Sequence, residues 1–520
     1  MEGRGGRREL TEANCRILLE MLPAEPTTSL RRDVTVLSAI ASLVIVVHFL
    51  MGNGYGFHRD ELQFLDDARH LQWGFVPYPP MTSFFGRVAI ALFGISVQVF
   101  RLPAAVVNAV SLVLAGLMAR ELGGRRAAQI VALLLGVPLA LTFSSVLQYN
   151  TFDLLAWSVL ILSTAHVLRT GDERFWLGAG LGVGLGVLSK YAMAFPLVSL
   201  LAGIVLLPSQ RHHLKSRWFW LGALLATAIA APNLAWLARH HFITLQMEHF
   251  IHVRDVRHGR ADGYFTDQIK FTMFALPFAV GGLIALLRSP RFRLLSAFYV
   301  GPFVLLAIAK GRGYYLLPAY PVLYAAGAVG LETWLATRAK AVRGVVYGAV
   351  VVAVLAEAGA IAWAYLPIWR PGSAAWNWQM KNNYDMANEV GWPELVGEVA
   401  AVRDQLSPAE RAQYAVLAEN YGAAGAVALY GPKYGLPVPI ATVNDFYDRG
   451  WGPFEPETLI VVGGNLKDES KFFASCSVVG MVHLPYDVQN EESADHPQIL
   501  VCHHLKEPWP VVWGRSRDFG

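Results

Sequence analysis

Charge is scarce in this sequence. Only 16% of its 520 residues are Asp, Glu, Lys or Arg, while 54% are hydrophobic, and the apolar excess lies in long runs rather than in short buried strands. That excludes an ordinary soluble globular chain and points to an integral membrane protein. Cysteine is scarce too: Cys15, Cys476 and Cys502 are too few for a disulfide scaffold. No small-residue cleavage site follows the first apolar run, which therefore reads as a retained anchor and not as a removed signal peptide. The charge that is present divides unevenly. Residues 1–366 hold 32 Lys and Arg against 20 Asp and Glu, whereas residues 367–520 hold 11 against 19, so a basic part joins an acidic one. No nucleic-acid partner is expected.

A spanning helix needs about 20 mostly apolar residues. Runs that qualify, or nearly do, lie at 34–52, 98–118, 127–143, 152–168, 175–189, 191–207, 218–237, 268–287, 294–309, 314–335 and 344–366. Eleven transmembrane helices are thus predicted, in an all-α polytopic membrane protein. The stretch "MTSFFGRVAIALFGI" at 81–95 is short and interrupted by Gly86 and Arg87, and reads as an interfacial helix. With eleven spans, the basic segments "RELGGRR", "RTGDER", "RHHLKSR", "RSPRFR" and "RAKAVR" fall on the same side as the Arg-rich N-terminus. The positive-inside rule makes that side the cytoplasm. Residues 1–33 then form a cytoplasmic tail, 34–366 a transmembrane domain with a first outer loop at 53–97, and 367–520 an outer domain. In that last part, β-like runs such as "YAVLA" and "TLIVVGG" alternate with turns and with a helical "ELVGEVAAVRDQL", which suggests a small extracytoplasmic α/β domain. Pairing of Cys476 with Cys502 stays open at this point.

The first outer loop opens with His58, Arg59, Asp60 and Glu61. Adjacent residues splay in different directions, so one of the two acids can face a cavity while the other pairs with a base. A carboxylate at a cavity mouth can act as a general base or hold a divalent cation. Asp153, in "LQYNTFDLLAW" at the outer start of the fourth span, is costly there unless paired or hydrated, and counts as a second candidate. Lys190, Lys310 and Arg312 are nearly all the basic charge on the outer side apart from its long loops, and phosphate recognition needs such cations. The loop at 239–267 is rich in His, but His249, His252 and Glu248 fit no specific metal-ligand spacing. The glycines between Gly178 and Gly186 lie inside a span and suit close helix packing. "YGAAGAVALYG" at 421–431 is only a weak echo of a phosphate loop. Glu357 is the one acid clearly placed within a span.

Acids and bases outside the membrane cannot draw on cytosolic nucleotide sugars, so group transfer there calls for a lipid-borne donor. "HRDELQFLDDARHLQWGFVPYPPMTSFFGRVAIALFG", followed by "RLPAA", "ARELGG", "GLGVLSKY", "PNLAW" and "GYYLLPAYPVLYAAGAVGLE", resembles the bacterial members of glycosyltransferase family 39. That family includes relatives of the protein O-mannosyltransferases and of the lipid A aminoarabinose transferase. The resemblance covers roughly residues 35–335 and implies a GT-C membrane fold, with residues 34–366 as the catalytic domain. It implies Asp60 as catalytic acid with Glu61 beside it, and Asp153 as the second acid. It further implies a polyprenyl-phosphate sugar donor, a protein, lipid or glycan acceptor, and a bacterial cytoplasmic membrane location. The aminoarabinose transferases carry a Lys in the later part of this loop; here "PYPPMTSFFGR" has none. Phosphate binding is therefore expected from Arg59, Arg87, Lys190, Lys310 or Arg312. A divalent metal, Mg or Mn, held by Asp60 and Asp153 is the cofactor to test. The expected reaction is a single displacement with inversion at the anomeric carbon.

A multi-pass transporter or lipid flippase is the rival reading. Transporters carry midplane polar residues on broken helices and often an internal repeat. Apart from Glu357 the charges here gather in outer loops, and no duplication links the halves. A receptor built on the outer domain would need neither eleven spans nor the acids.

Overall fold

The computed structural model describes residues 28–51 and 54–519. Most of the expected cytoplasmic tail, including Cys15, lies outside these residues. Among the described residues, eight helices are long and apolar enough to cross a membrane, and nine if Tyr191–Leu206 and Pro208–Lys215, which meet at 111°, form one bent span. The eleven expected runs all recur as helix, but two are too short. The run at 175–189 gives the 14-residue helix Trp176–Ser189, which stops where Lys190 turns extended at φ −156° and ψ 133°. The run at 294–309 begins as a 3-10 turn at Arg293–Ser296 and continues as Ala297–Ile308. The 81–95 stretch is a short apolar helix, Met81–Phe93.

Glycine sets the distance between several helices. A Cβ on Gly180 would collide with the Gly222 carbonyl, and one on Gly182 would lie 2.7 Å from the Leu160 amide. The Trp176–Ser189 helix is thereby clamped against both Tyr149–Thr170 and Arg217–Arg239, which accounts for the glycine run by packing alone. On the side of the basic loops, buried Asp33 pairs with Arg120 at 3.4 Å and Arg126 at 3.3 Å, tying the start of the Leu30–Met51 helix to the end of Val97–Glu121.

The C-terminal part holds a four-stranded mixed sheet: β1 (Tyr414–Ala418), β2 (Thr458–Val462), β3 (Phe473–Met481) and β4 (Gln498–Leu505), in the order β1-β2-β4-β3. β1 and β2 run parallel, while β4 is antiparallel to both neighbours. Cys476 and Cys502 face each other across β3 and β4 and are joined as a disulfide. The sheet packs through its Val416, Ile460 and Val501 side against the helix Trp392–Gln405 and the helix Tyr421–Tyr430.

This sheet unit is welded to the segment that follows the first long helix. A Cβ on Gly425 would lie 2.7 Å from the Leu62 carbonyl carbon, so Tyr421–Tyr430 lies directly on the backbone of the helix Arg59–Arg69. Asp445 accepts from the Val76 amide at 3.1 Å, and Arg449 pairs with Asp66 at 2.5 Å. The weak phosphate-loop pattern at 421–431 is thus a helix whose small residues allow close contact.

Candidate active site

The helix Arg59–Arg69 starts at a capping box. His58 Nδ1 accepts from the Asp60 amide at 3.1 Å, and Glu61 Oε2 accepts from the His58 amide at 2.9 Å. This cap divides the labour of the two adjacent acids. Glu61 turns inward, fully buried, and takes Arg101 Nη2 at 2.7 Å and the Leu147 amide at 2.8 Å. Arg101, the Arg of "RLPAA", is 1% exposed and bridges Glu61 to Glu389 of the C-terminal domain at 3.2 Å. Burial pushes the Glu389 carboxyl up to about 7 although the Arg101 charge pulls it down. Glu61, expected beside Asp60 as a catalytic group, is therefore held in a buried ion cluster and lines no cavity described below.

Asp60 turns the other way. The Tyr421 hydroxyl donates to its Oδ1 at 2.9 Å, while Oδ2 stands 3.9 Å from His58 Nδ1, the nitrogen already occupied by the Asp60 amide. Arg59 is not available to a donor phosphate. Its Nη1 donates to Glu491 at 2.7 Å and to the Tyr421 hydroxyl at 3.0 Å, its Nε donates to Glu492 at 3.1 Å, and its guanidinium lies over the Tyr421 ring at 4.2 Å. Two carboxylates that arrive more than 400 residues later neutralise it.

Two cavities share Asp60 as a wall. One, of about 720 Å³, runs down among the spans past Leu139, Phe143, Phe271, Leu317 and Ile361, with Glu357 on its side. The other, of about 530 Å³, opens between the outer segments and carries Arg59, Glu248, Arg254, Arg260 and Glu491. His58, Asp60, Tyr149, Arg312, Tyr314 and Asp385 line both. Two chambers of mixed lining, the first the more apolar, therefore meet at two carboxylates, Asp60 and Asp385, and one guanidinium, Arg312.

Arg312 holds its place through Asp255, to which Nη2 donates at 2.7 Å. Burial alone would raise the Asp255 pKa, but the hydrogen bond and charge of Arg312, with Arg260 and Arg254 beyond, bring it below its ordinary value. The cluster keeps a surplus of positive charge beside the cavities. Lys190 sits where three aromatic rings converge: Nζ is 4.1 Å from the Tyr315 centroid, 5.1 Å from Tyr149 and 5.2 Å from Tyr314, and it donates to Asn150 at 2.8 Å. Enclosure pushes its ammonium down to about 8, against the opposing charges of Asp153 and Glu248.

Lys190 lines neither cavity, and the remaining expected residues lie elsewhere too. Asp153 is buried, accepts from Trp157 Nε1 at 3.1 Å, and lines neither cavity. It stands one helical turn behind Tyr149, which lines both, so the expected convergence of Asp60 and Asp153 in one hollow is replaced by Asp60 in front and Asp153 behind the Tyr149–Lys190 layer. Lys310 is exposed in a turn at φ +49°, and Arg87 is exposed on the Met81–Phe93 helix; neither lines a cavity. Sequence reading missed Tyr421, Arg254 and Arg260. The signal for Arg254 was present: Met247, Ile251 and Arg254 recur at helical spacing along Ile243–Arg257 and face the outer cavity.

The groups around Asp60, namely Tyr421, Arg59 and the amide-bonded His58, are not the oxygen-rich set a Mg or Mn ion requires. Asp153 is one carboxylate with an indole partner. Among the described residues the only group of three such donors is Glu173, His212 and His213, within 4.8 Å of one another in segments the sequence places at the cytoplasmic face. The residues expected to hold a metal therefore do not fit one.

The class defined by this fold is a polytopic membrane protein shaped like ArnT. The structure of ArnT from Cupriavidus metallidurans bound to undecaprenyl phosphate superposes with a TM-score of 0.54 at 16% identity, over 91% of this chain and 98% of that one. The apo form gives 0.55 at 15% identity, over 90% and 97%. Residues 77–236 match the family described as dolichyl-phosphate-mannose-protein mannosyltransferase. The chain is also similar to the lipopolysaccharide core galacturonosyltransferase RgtB of Rhizobium johnstonii, 26% identical over 221 residues, and to the lipid A galacturonosyltransferase RgtD of that organism, 28% identical over 206 residues. Those matches cover 41% and 39% of this chain and 44% and 42% of the relatives, so the chain spans less than half the length of the curated relatives it matches.

Proposed function

We propose that this protein is a membrane glycosyltransferase that moves a sugar from a polyprenyl-phosphate donor to an acceptor on the outer face of a bacterial cytoplasmic membrane. The observation that carries this reading is the position of Asp60, on the shared wall of a larger cavity that reaches among the spans and a more polar one beside the C-terminal domain. The Leu139, Phe143, Leu317 and Ile361 wall of the first suits an isoprenoid tail, and the second suits a sugar and its acceptor. The name RgtD describes transfer of galacturonic acid to lipid A, and ArnT was solved with undecaprenyl phosphate; both support a lipid-borne donor and an envelope lipid or glycan acceptor here. The basic loops, which gather on the side of the Arg-rich N-terminus, support a cytoplasmic N-terminus and a place for residues 367–520 on the outer side. An oxidising exterior agrees with the Cys476–Cys502 disulfide.

In the proposed reaction, Asp60 Oδ2 takes the proton of the acceptor hydroxyl as its oxygen attacks the anomeric carbon. The new bond forms as the carbon–oxygen bond to the phosphate breaks, and the electron pair leaves with the polyprenyl phosphate. Arg312, on the shared wall, stabilises that departing charge, and the Lys190 charge behind the Tyr149, Tyr314 and Tyr315 rings adds to the field. One displacement inverts the anomeric configuration, and no metal step is invoked.

The test uses purified full-length protein with undecaprenyl phosphate carrying tritiated galacturonic acid, mannose, glucose or aminoarabinose, and envelope extract as acceptor. Transfer of one of these by the wild type, lost in Asp60→Asn, is expected; no transfer of any of them refutes the reading.

A further inference from the structure

We infer that Tyr421 is a positioning residue of the active site, and that the C-terminal domain is thereby part of the catalytic apparatus rather than an accessory placed above it. The inference rests on the glycosyltransferase reading above but adds to it, since neither the matched segment at 77–236 nor the apolar cavity includes this residue.

The geometry is specific. Tyr421 is the first residue of the helix Tyr421–Tyr430, capped by Asn420, whose Oδ1 accepts from the Ala423 amide at 2.8 Å. Its hydroxyl accepts from Arg59 Nη1 at 3.0 Å and donates to Asp60 Oδ1 at 2.9 Å. One oxygen of the carboxylate is thus assigned to Tyr421, which leaves Oδ2 for the acceptor. Arg59 cannot swing away, because Glu491 and Glu492 hold it from the same domain, and Asn420 in turn bonds Glu492. The Asn388 carbonyl accepts from the Arg59 amide at 3.1 Å. Both glycines of the helix face this junction: a Cβ on Gly422 would lie 2.7 Å from Arg59 Cγ, and one on Gly425 2.7 Å from the Leu62 backbone. The small residues of "NYGAAGAVALYG" therefore bring one hydroxyl to one carboxylate. Without that bond Asp60 rotates about its side-chain torsions, and the base loses its alignment with the incoming hydroxyl.

The experiment compares wild type, Tyr421→Phe, and the chain with p-aminophenylalanine at 421, using whichever tritiated undecaprenyl-phosphate sugar of the panel above the wild type transfers. Phe keeps the ring under Arg59 and removes the donor to Asp60. In Tyr421→Phe, kcat is expected to fall roughly tenfold to a hundredfold with the KM for donor and acceptor unchanged, the size of one hydrogen bond to a charged group. The thermal midpoint is expected to stay near that of the wild type, and the amino analogue, which restores a donor, to recover part of kcat. A Tyr421→Phe variant with wild-type kcat, or an amino analogue no better than Phe, overturns the inference while leaving the glycosyltransferase reading intact. If the wild type transfers none of the sugars, that reading fails and this inference with it.

Discussion

Arg101 is the residue on which the junction between the helix Arg59–Arg69 and the C-terminal domain depends, and its replacement has a calculable cost. Its guanidinium donates to Glu61 at 3.0 and 2.7 Å, to the Gly56 carbonyl at 3.0 Å, and pairs with Glu389 at 3.2 Å, all with almost no solvent contact. Arg101→Met keeps most of the volume and removes the charge, leaving two buried carboxylates without their common partner. Removing one member of a buried ion pair typically costs about 3–5 kcal/mol. Two features pull the value toward the lower end. Glu389, already pushed up to about 7, takes a proton readily, and Glu61 retains the His58 and Leu147 amides. A loss of about 3 kcal/mol is expected, seen as a fall of roughly 3 °C in the thermal midpoint of the detergent-solubilised protein. The triple variant Arg101→Met, Glu61→Gln, Glu389→Gln should recover part of it, because no net charge is then buried. A single variant that melts within about a degree of wild type would refute the assignment of this cluster as the buried tie.

Further outcomes follow from charge. Lys190 is held down to about 8, so kcat/KM for the lipid-linked donor should fall as pH rises through that value; in Lys190→Arg, which stays protonated, that fall should vanish, and a profile unchanged by the substitution would remove Lys190 from phosphate binding. Burial raises Glu389 and Glu492 to about 7 against the opposing charges of Arg101 and Arg59. Acids whose folded pKa lies above the unfolded value contribute stability that is complete below about 4.5 and is lost as pH climbs through 7. The thermal midpoint should therefore be higher at pH 5.5 than at pH 8, and a midpoint rising over that range would contradict the described burial of these two groups.

Much of this was legible in the residues, and the failures have physical causes. β1 and β2 and the helix Trp392–Gln405 emerged because their sequences are apolar throughout or periodic, the strands buried and the helix buried along one face. β3 was hidden because most of its residues face solvent, so "FASCSVVGM" carries no alternating pattern. The span count was too generous because composition registers apolar character but not the break at Lys190 or the 3-10 turn at Arg293–Ser296. Asp60 and Arg312 were found by their outer position and line both cavities. Arg59 looked equally placed, yet its fate is set by Glu491 and Glu492, which local sequence cannot bring near it. Glu61 and Asp60 were inseparable as a pair; the capping box, a matter of which side of a helix start each occupies, is what separates them. Lys310 shares a side with Arg312 but sits in an exposed turn two residues too early.

The most direct test of the central claim, that Asp60 is the base at the meeting point of the two cavities, is a single-turnover measurement on Asp60→Asn loaded with the tritiated undecaprenyl-phosphate sugar that the wild type transfers. Asparagine keeps the shape and the Tyr421 contact but cannot accept the acceptor's proton. Donor bound with wild-type affinity and transfer slowed by about 10²-fold or more is the predicted result. Transfer at the wild-type rate would contradict the account.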